Sequence, residues 1–106
     1  MTVYVDDAIH SWRGRIWCHL FSEDLDELHE FARRLGLKRH WFQEPPKASW
    51  CHYDITESKR REAIRLGATP VDFWRTLEVA HGKKEARRMR KRYDLGIRSR
   101  QSSESE

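Results

Sequence analysis

Residues 15–36 change hydrophobic period within two positions. In RIWCHLFS (15–22), Ile16, Cys18 and Leu20 alternate with Trp17, His19 and Phe21, the two-residue period of a strand with both faces at least partly covered. In DLDELHEFARRLG (24–36), Leu25, Leu28, Phe31, Ala32 and Leu35 recur at helical spacing. Asp24 and Glu27 form a capping-box pair, Arg33 and Arg34 sit in the last turn, and Gly36 can take the left-handed terminal position. A strand that feeds directly into an amphipathic helix points to an α/β architecture.

The rest of the chain extends this pattern. TVYVD (2–6) reads as a buried strand ending at Asp6 and Asp7, and DAIHSWRGR reads as a loop. LKRHWFQEPPKAS is a loop with a short extended start at His40–Phe42, since Pro45 and Pro46 exclude regular structure. CHYDI (51–55) is the next strand; Thr56 caps a short helix ending at Gly67, ATPV is a last short strand, and Asp72 caps FWRTLEVAH. Strands alternating with helices predict right-handed crossovers, so the expected fold is a small three-layer α/β domain with a mainly parallel sheet of three or four strands. In such a sheet ligands bind beyond the carboxyl ends of the strands, near Asp6, Asp7 and Asp54.

With 106 residues, 38% hydrophobic and 36% charged, the chain supports one small core to which the five Trp contribute much of the apolar area. The expected boundaries are 1–80 for the α/β domain, 81–96 for a basic helical extension and 97–106 for a disordered tail. Charge divides at the same place. Residues 1–80 carry 12 Lys and Arg against 13 acids, a balance of −1, and residues 81–106 carry 9 against 4, a balance of +5. No apolar run approaches the roughly 20 residues of a membrane span, and MTVYVDD has no signal-peptide character. The protein is therefore expected in the cytoplasm of a bacterial host cell, without membrane partners.

Four groups of residues could carry chemistry. Asp6, Asp7, His19, His52 and Asp54 are an acid–imidazole set suited to Mg²⁺, Mn²⁺ or Zn²⁺. The competing reading is that strand-end Asp residues cap turns and half-buried His residues bond to backbone. Cys18 and Cys51 form no CxxC motif, and as strand neighbours of His19 and His52 they face the opposite way, so neither adjacent pair can be a dyad; both read as buried thiols, with a disulfide or a zinc site using both only weakly supported by their spacing. Trp12, Arg13, Arg15 and Trp17, with Lys38, Arg39, His40, Trp41 and Phe42, can grip phosphates and stack on bases, or simply cover a thin core. Lys83, Lys84, Arg87, Arg88, Arg90, Lys91 and Arg92 surround a helix whose apolar line is only Ala86, Met89 and Tyr93.

YVDD (4–7), WRGR and WCHL (12–20), DLDELHEFARRLGL (24–37), RHWFQ (39–43), HYDIT and SKR (52–60) and LGATPV (66–71) together resemble a family of small actinobacterial and phage proteins known only as a domain of unknown function. The resemblance spans about residues 2–75 and implies a shared site at Asp6, Asp7, His19, His52, Tyr53 and Asp54, without implying an activity. The insertion EPPKASWC and the basic extension after residue 80 depart from the family pattern.

Two functions are expected from these residues. In the first, Asp6, Asp7, Asp54 and His19 hold a divalent metal, His52 is a ligand or general base acting with Asp54, and Lys59 or Arg60 contacts the phosphate of a nucleotide or nucleic-acid substrate. In the second, Arg87, Arg88 and Lys91 of the basic helix bind nucleic acid or an acidic host protein without catalysis.

Overall fold

In the computed structural model, which describes residues 2–7 and 10–104 with side chains to residue 96, the segment read as a loop after Asp7 contains a strand. Strand β1 (Val3–Val5) is followed by β2 (His10–Trp12) and β3 (Arg15–Ser22), and Trp12 pairs with Arg15 across a two-residue turn. That turn needs positive φ at both central residues; Arg13 has φ 51° and Gly14 φ 72°. The remaining elements are α1 (Leu25–Arg34), a 3₁₀ turn at Arg39–Trp41, β4 (Tyr53–Thr56), α2 (Glu57–Arg65), β5 (Thr69–Pro70), α3 (Phe73–His81) and α4 (Lys83–Glu104). Three helices begin where the sequence places a cap: Asp24, Thr56 and Asp72 each accept a hydrogen bond from the backbone N–H three residues on.

The sheet is mixed, not mainly parallel. Central strand β3 pairs antiparallel with β1, β2 and β4, and only β1 with β5 is parallel. Leu20 pairs with both Val5 and Tyr53, and Trp17 with both His10 and Thr56, so β1 and β2 share one edge of β3 and β4 occupies the other. The expected parallel crossover fails because α1 does not lead straight back into the sheet. The chain passes through the 3₁₀ turn, where an extended start was expected, and the Pro-containing loop, then enters β4 in the reverse direction.

Alternation then divides the sheet as the sequence predicts. Val3, Val5, Cys18, Leu20, Tyr53 and Ile55 face α1 and α2, packing on Leu28, Phe31, Ala32, Leu35 and Ala63 to form the core. Tyr4, Phe21 and His19 lie on the opposite face, where Trp50 packs against Phe21 at 5.3 Å and Thr76 and Arg75 of α3 approach Asp6 and Tyr4. Helices therefore flank both faces. Helix α4 packs against α3 and continues through most of the segment expected to be an unstructured tail. Among the described residues no helix is long and apolar enough to cross a membrane.

Candidate functional site

The α3-facing side of the sheet gathers imidazoles and carboxylates from β1, β3 and β4. Cross-strand register places His19 directly opposite Asp54, and the two-residue spacing adds His52, which precedes β4 in a bridge to Gln43, to the same face. Asp6, just past the end of β1, completes the row: its carboxylate accepts from the His19 backbone N–H at 2.7 Å and lies 2.6 Å from His19 Nδ1.

Each imidazole is oriented by its Nδ1. Asp6 is 5% exposed, and its carboxylate meets His19 and, more loosely, the Thr76 hydroxyl at 3.5 Å. The Arg60 guanidinium instead donates to the Asp6 carbonyl at 2.7 Å. A buried carboxylate in this setting requires a proton on His19 Nδ1. His52 Nδ1 lies 3.0 Å from the Trp50 carbonyl, which can only accept, so that nitrogen also carries a proton. The Trp50 indole stacks on the His52 ring at 4.3 Å and meets His19 edge-on at 5.0 Å, fixing both ring planes.

With both Nδ1 atoms committed, the two Nε2 atoms point at one carboxylate. His52 Nε2 is 3.4 Å and His19 Nε2 3.9 Å from Asp54 Oδ1, and the three ligand atoms lie within 4.8 Å of one another. The two Nε2 atoms and the Asp54 carboxylate thus face one another across a short gap. Such a set requires positive charge, either protons on the imidazoles or a cation among them. For ligands about 2.0 Å from a tetrahedral zinc, neighbouring donors sit about 3.3 Å apart, close to the His52–Asp54 separation. The His52 hydrogen bond holds the Asp54 carboxyl below its usual pKa despite opposing burial, and His19 and His10 add to the effect.

The structure brings together His19, His52 and Asp54, with Asp6 behind His19 rather than among the three convergent donors. Asp7 is not among the convergent donors: its side chain is 65% exposed and lies 3.9 Å from Arg60, at the rim of a cavity it shares with Asp6 and His19. Lys59 caps α1 by donating to the Leu35 carbonyl at 2.9 Å, and Arg60 anchors the end of β1. Arg87, Arg88 and Lys91 lie apart on α4, with Arg88 3.6 Å from Glu85. The row also lies across the sheet face rather than beyond strand ends, because antiparallel neighbours share no carboxyl rim. Tyr53, singled out by the family pattern, is a core residue bonded to His29 at 2.9 Å.

Three contributors were missed. Trp50 shares its parity with His52 and could have been read from the two-residue spacing. His10, whose ring is 5.0 Å from that of His19, was hidden by reading β2 as a loop. Thr76 reaches Asp6 from α3, a tertiary contact without a local signal.

A family model described as "Protein of unknown function (DUF4031)" matches residues 3–85. The chain belongs to the DUF4031 family. The match takes in every residue of the convergent row and stops at the start of α4, so the row lies in the DUF4031 region and most of the basic helix lies outside it. No curated protein and no solved structure matches the chain.

Proposed function

We propose that His19, His52 and Asp54 bind a divalent metal ion, and that the protein hydrolyses a phosphate-containing substrate there. The observation that carries this reading is that His19, His52 and Asp54 bring ligand atoms within 4.8 Å of one another while each imidazole's Nδ1 is held by an oxygen acceptor. Two nitrogen donors with one oxygen favour Zn²⁺, or more weakly bound Mn²⁺, over the Mg²⁺ that an all-oxygen site would select. A bound ion of this kind would polarise the phosphoryl oxygen and acidify a coordinated water. The chain's own residues would supply the rest: Asp6 and the Trp50 carbonyl hold the imidazoles, and His10, whose ring lies 5.0 Å from that of His19, would be the group placed to take up a proton.

Calorimetric titration of untagged protein with Zn²⁺, Mn²⁺ and Mg²⁺, paired with thermal unfolding, tests the reading. Zn²⁺ at about 100 times its Kd should stabilise the fold by about 2.7 kcal/mol. The stabilisation should vanish in His52→Ala and Asp54→Ala. Absence of heat and of any shift with Zn²⁺ and Mn²⁺ refutes the metal reading.

A second reading rests on α4. Lys83, Lys84, Arg87, Arg88, Lys91 and Arg92 are exposed, which suits a salt-sensitive contact with nucleic acid or an acidic protein. Arg87→Glu with Lys91→Glu should abolish such a contact and leave metal binding intact.

A further inference from the structure

The two Trp-containing cationic segments, residues 12–17 and 38–42, are distant in sequence but meet in space. They wall an open groove of about 730 Å³ that runs to Asp54, with Trp12 and Trp17 contributed by the β2–β3 hairpin and Trp41 by the 3₁₀ turn. If these indoles served only to cover a thin core they would be buried. Instead Trp12 is 58% and Trp41 44% exposed. Each carries a cation on its face: the Arg13 guanidinium lies 4.4 Å from the Trp12 ring and the Lys38 ammonium 5.8 Å from Trp41. Arg15 and Lys47 also line the groove, and its only acid among the described residues is Asp54, which belongs to the convergent row.

We propose that this groove binds single-stranded nucleic acid and leads its backbone to the His19–His52–Asp54 site. Exposed π-faces call for flat apolar partners, and the cations beside them call for an anion at each step, which is the alternation of base and phosphate along a strand. Indoles on two separate walls offer platforms for more than one base, so an oligonucleotide uses the groove more fully than a mononucleotide. A duplex buries its base faces in its own stack and can offer only phosphates. Naming nucleic acid as the substrate rests on the metal reading above; the affinity of the groove does not.

Fluorescence anisotropy with labelled single-stranded DNA, single-stranded RNA and duplex DNA tests the proposal on the full chain, each at low and high salt. Trp12→Ala and Trp41→Ala should each weaken single-strand binding roughly 5- to 150-fold, the range for loss of one base-stacking side chain. Zn²⁺ binding and thermal unfolding should stay near wild type, since both indoles are exposed. His52→Ala should lose Zn²⁺ and keep the oligonucleotide, so failure of the metal reading remains distinguishable. DNA bound better than RNA, or the reverse, names the natural strand and supports the groove either way. The proposal is overturned if neither strand binds, if duplex binds as well as single strand, or if the tryptophan variants bind normally while Arg87→Glu with Lys91→Glu abolishes binding.

Discussion

At the residue scale, alternation was enough to separate the two cysteines from the two histidines. Cys18 is fully buried in the helix-covered core, where loss of hydration, and secondarily the Asp6 charge, push its thiol up to about 12. Cys51 is only partly buried. An aromatic disulfide reagent at pH 8 should therefore titrate Cys51 in the folded protein and reach Cys18 only on unfolding; rapid modification of both would contradict the packing. Because the folded thiol ionises above its ordinary value of 9.0, the unfolded state loses its proton first, and stability should decline as pH rises from 9 towards 12. Asp54 works in the opposite sense. Its lowered pKa gives a contribution present above the usual carboxylate range and lost as pH falls through the depressed value, small because the side chain is 47% exposed. What the sequence could not reveal was the work of Asp6, because its two bonds to His19 depend on the register of β1 against β3. Asp6→Asn keeps the shape and removes the charge behind the imidazole. Zn²⁺ affinity should fall about 10- to 100-fold by calorimetry, the usual loss on removing an outer partner of a metal-bound histidine; unchanged affinity would confine Asp6 to a structural role.

At the element scale, local signals were legible and their connections were not. Asp24, Thr56 and Asp72 each mark a helix start, and Gly36, with φ 86°, follows the end of α1 as its position implied. The β2–β3 hairpin escaped notice because its turn is Arg13-Gly14, with only the second residue a usual carrier of positive φ, and because β2 is exposed throughout and shows no buried alternation. Strand direction depended on the long irregular path between α1 and β4, on which hydrophobic period says nothing. One junction lends itself to a direct measurement. Gly82 separates α3 from α4 at φ 88° and ψ 155°, a conformation open almost only to glycine, and a Cβ built there meets no atom within 4 Å. The cost of Gly82→Ala is therefore backbone strain alone, about 1–3 kcal/mol. Denaturant unfolding should show a lower midpoint of that size, or α4 detaching from α3 to relieve the strain; an unchanged midpoint with α4 still docked would show that the junction tolerates a side chain.

At the scale of the molecule, the body and α4 differ in how they are held. The body closes around a sheet with a core on one face and the polar row with Trp50 on the other. Both covered faces could be read from the β3 pattern, whereas the groove between residues 12–17 and 38–47 arises only when the hairpin and the 3₁₀ turn are brought side by side. Helix α4 rests on α3 through Ala86 and through Trp74, which meets Tyr93 at 5.6 Å and Arg90 at 4.9 Å. Its 22 residues span about 33 Å. A chain of this length folded compactly has a radius of gyration near 13 Å, but the observed value is 15.8 Å with extents of 54 × 32 × 26 Å, as a projecting helix requires. Local opening is governed by buried apolar contact, of which α4 has little, and its exposed Lys and Arg are the residues trypsin cleaves. Limited trypsinolysis followed by mass spectrometry should therefore cut first at Lys83 or beyond, releasing a body that still binds Zn²⁺. Earlier cleavage at Arg33 or Arg60, before any loss of α4, would mean that the helix is held as firmly as the sheet.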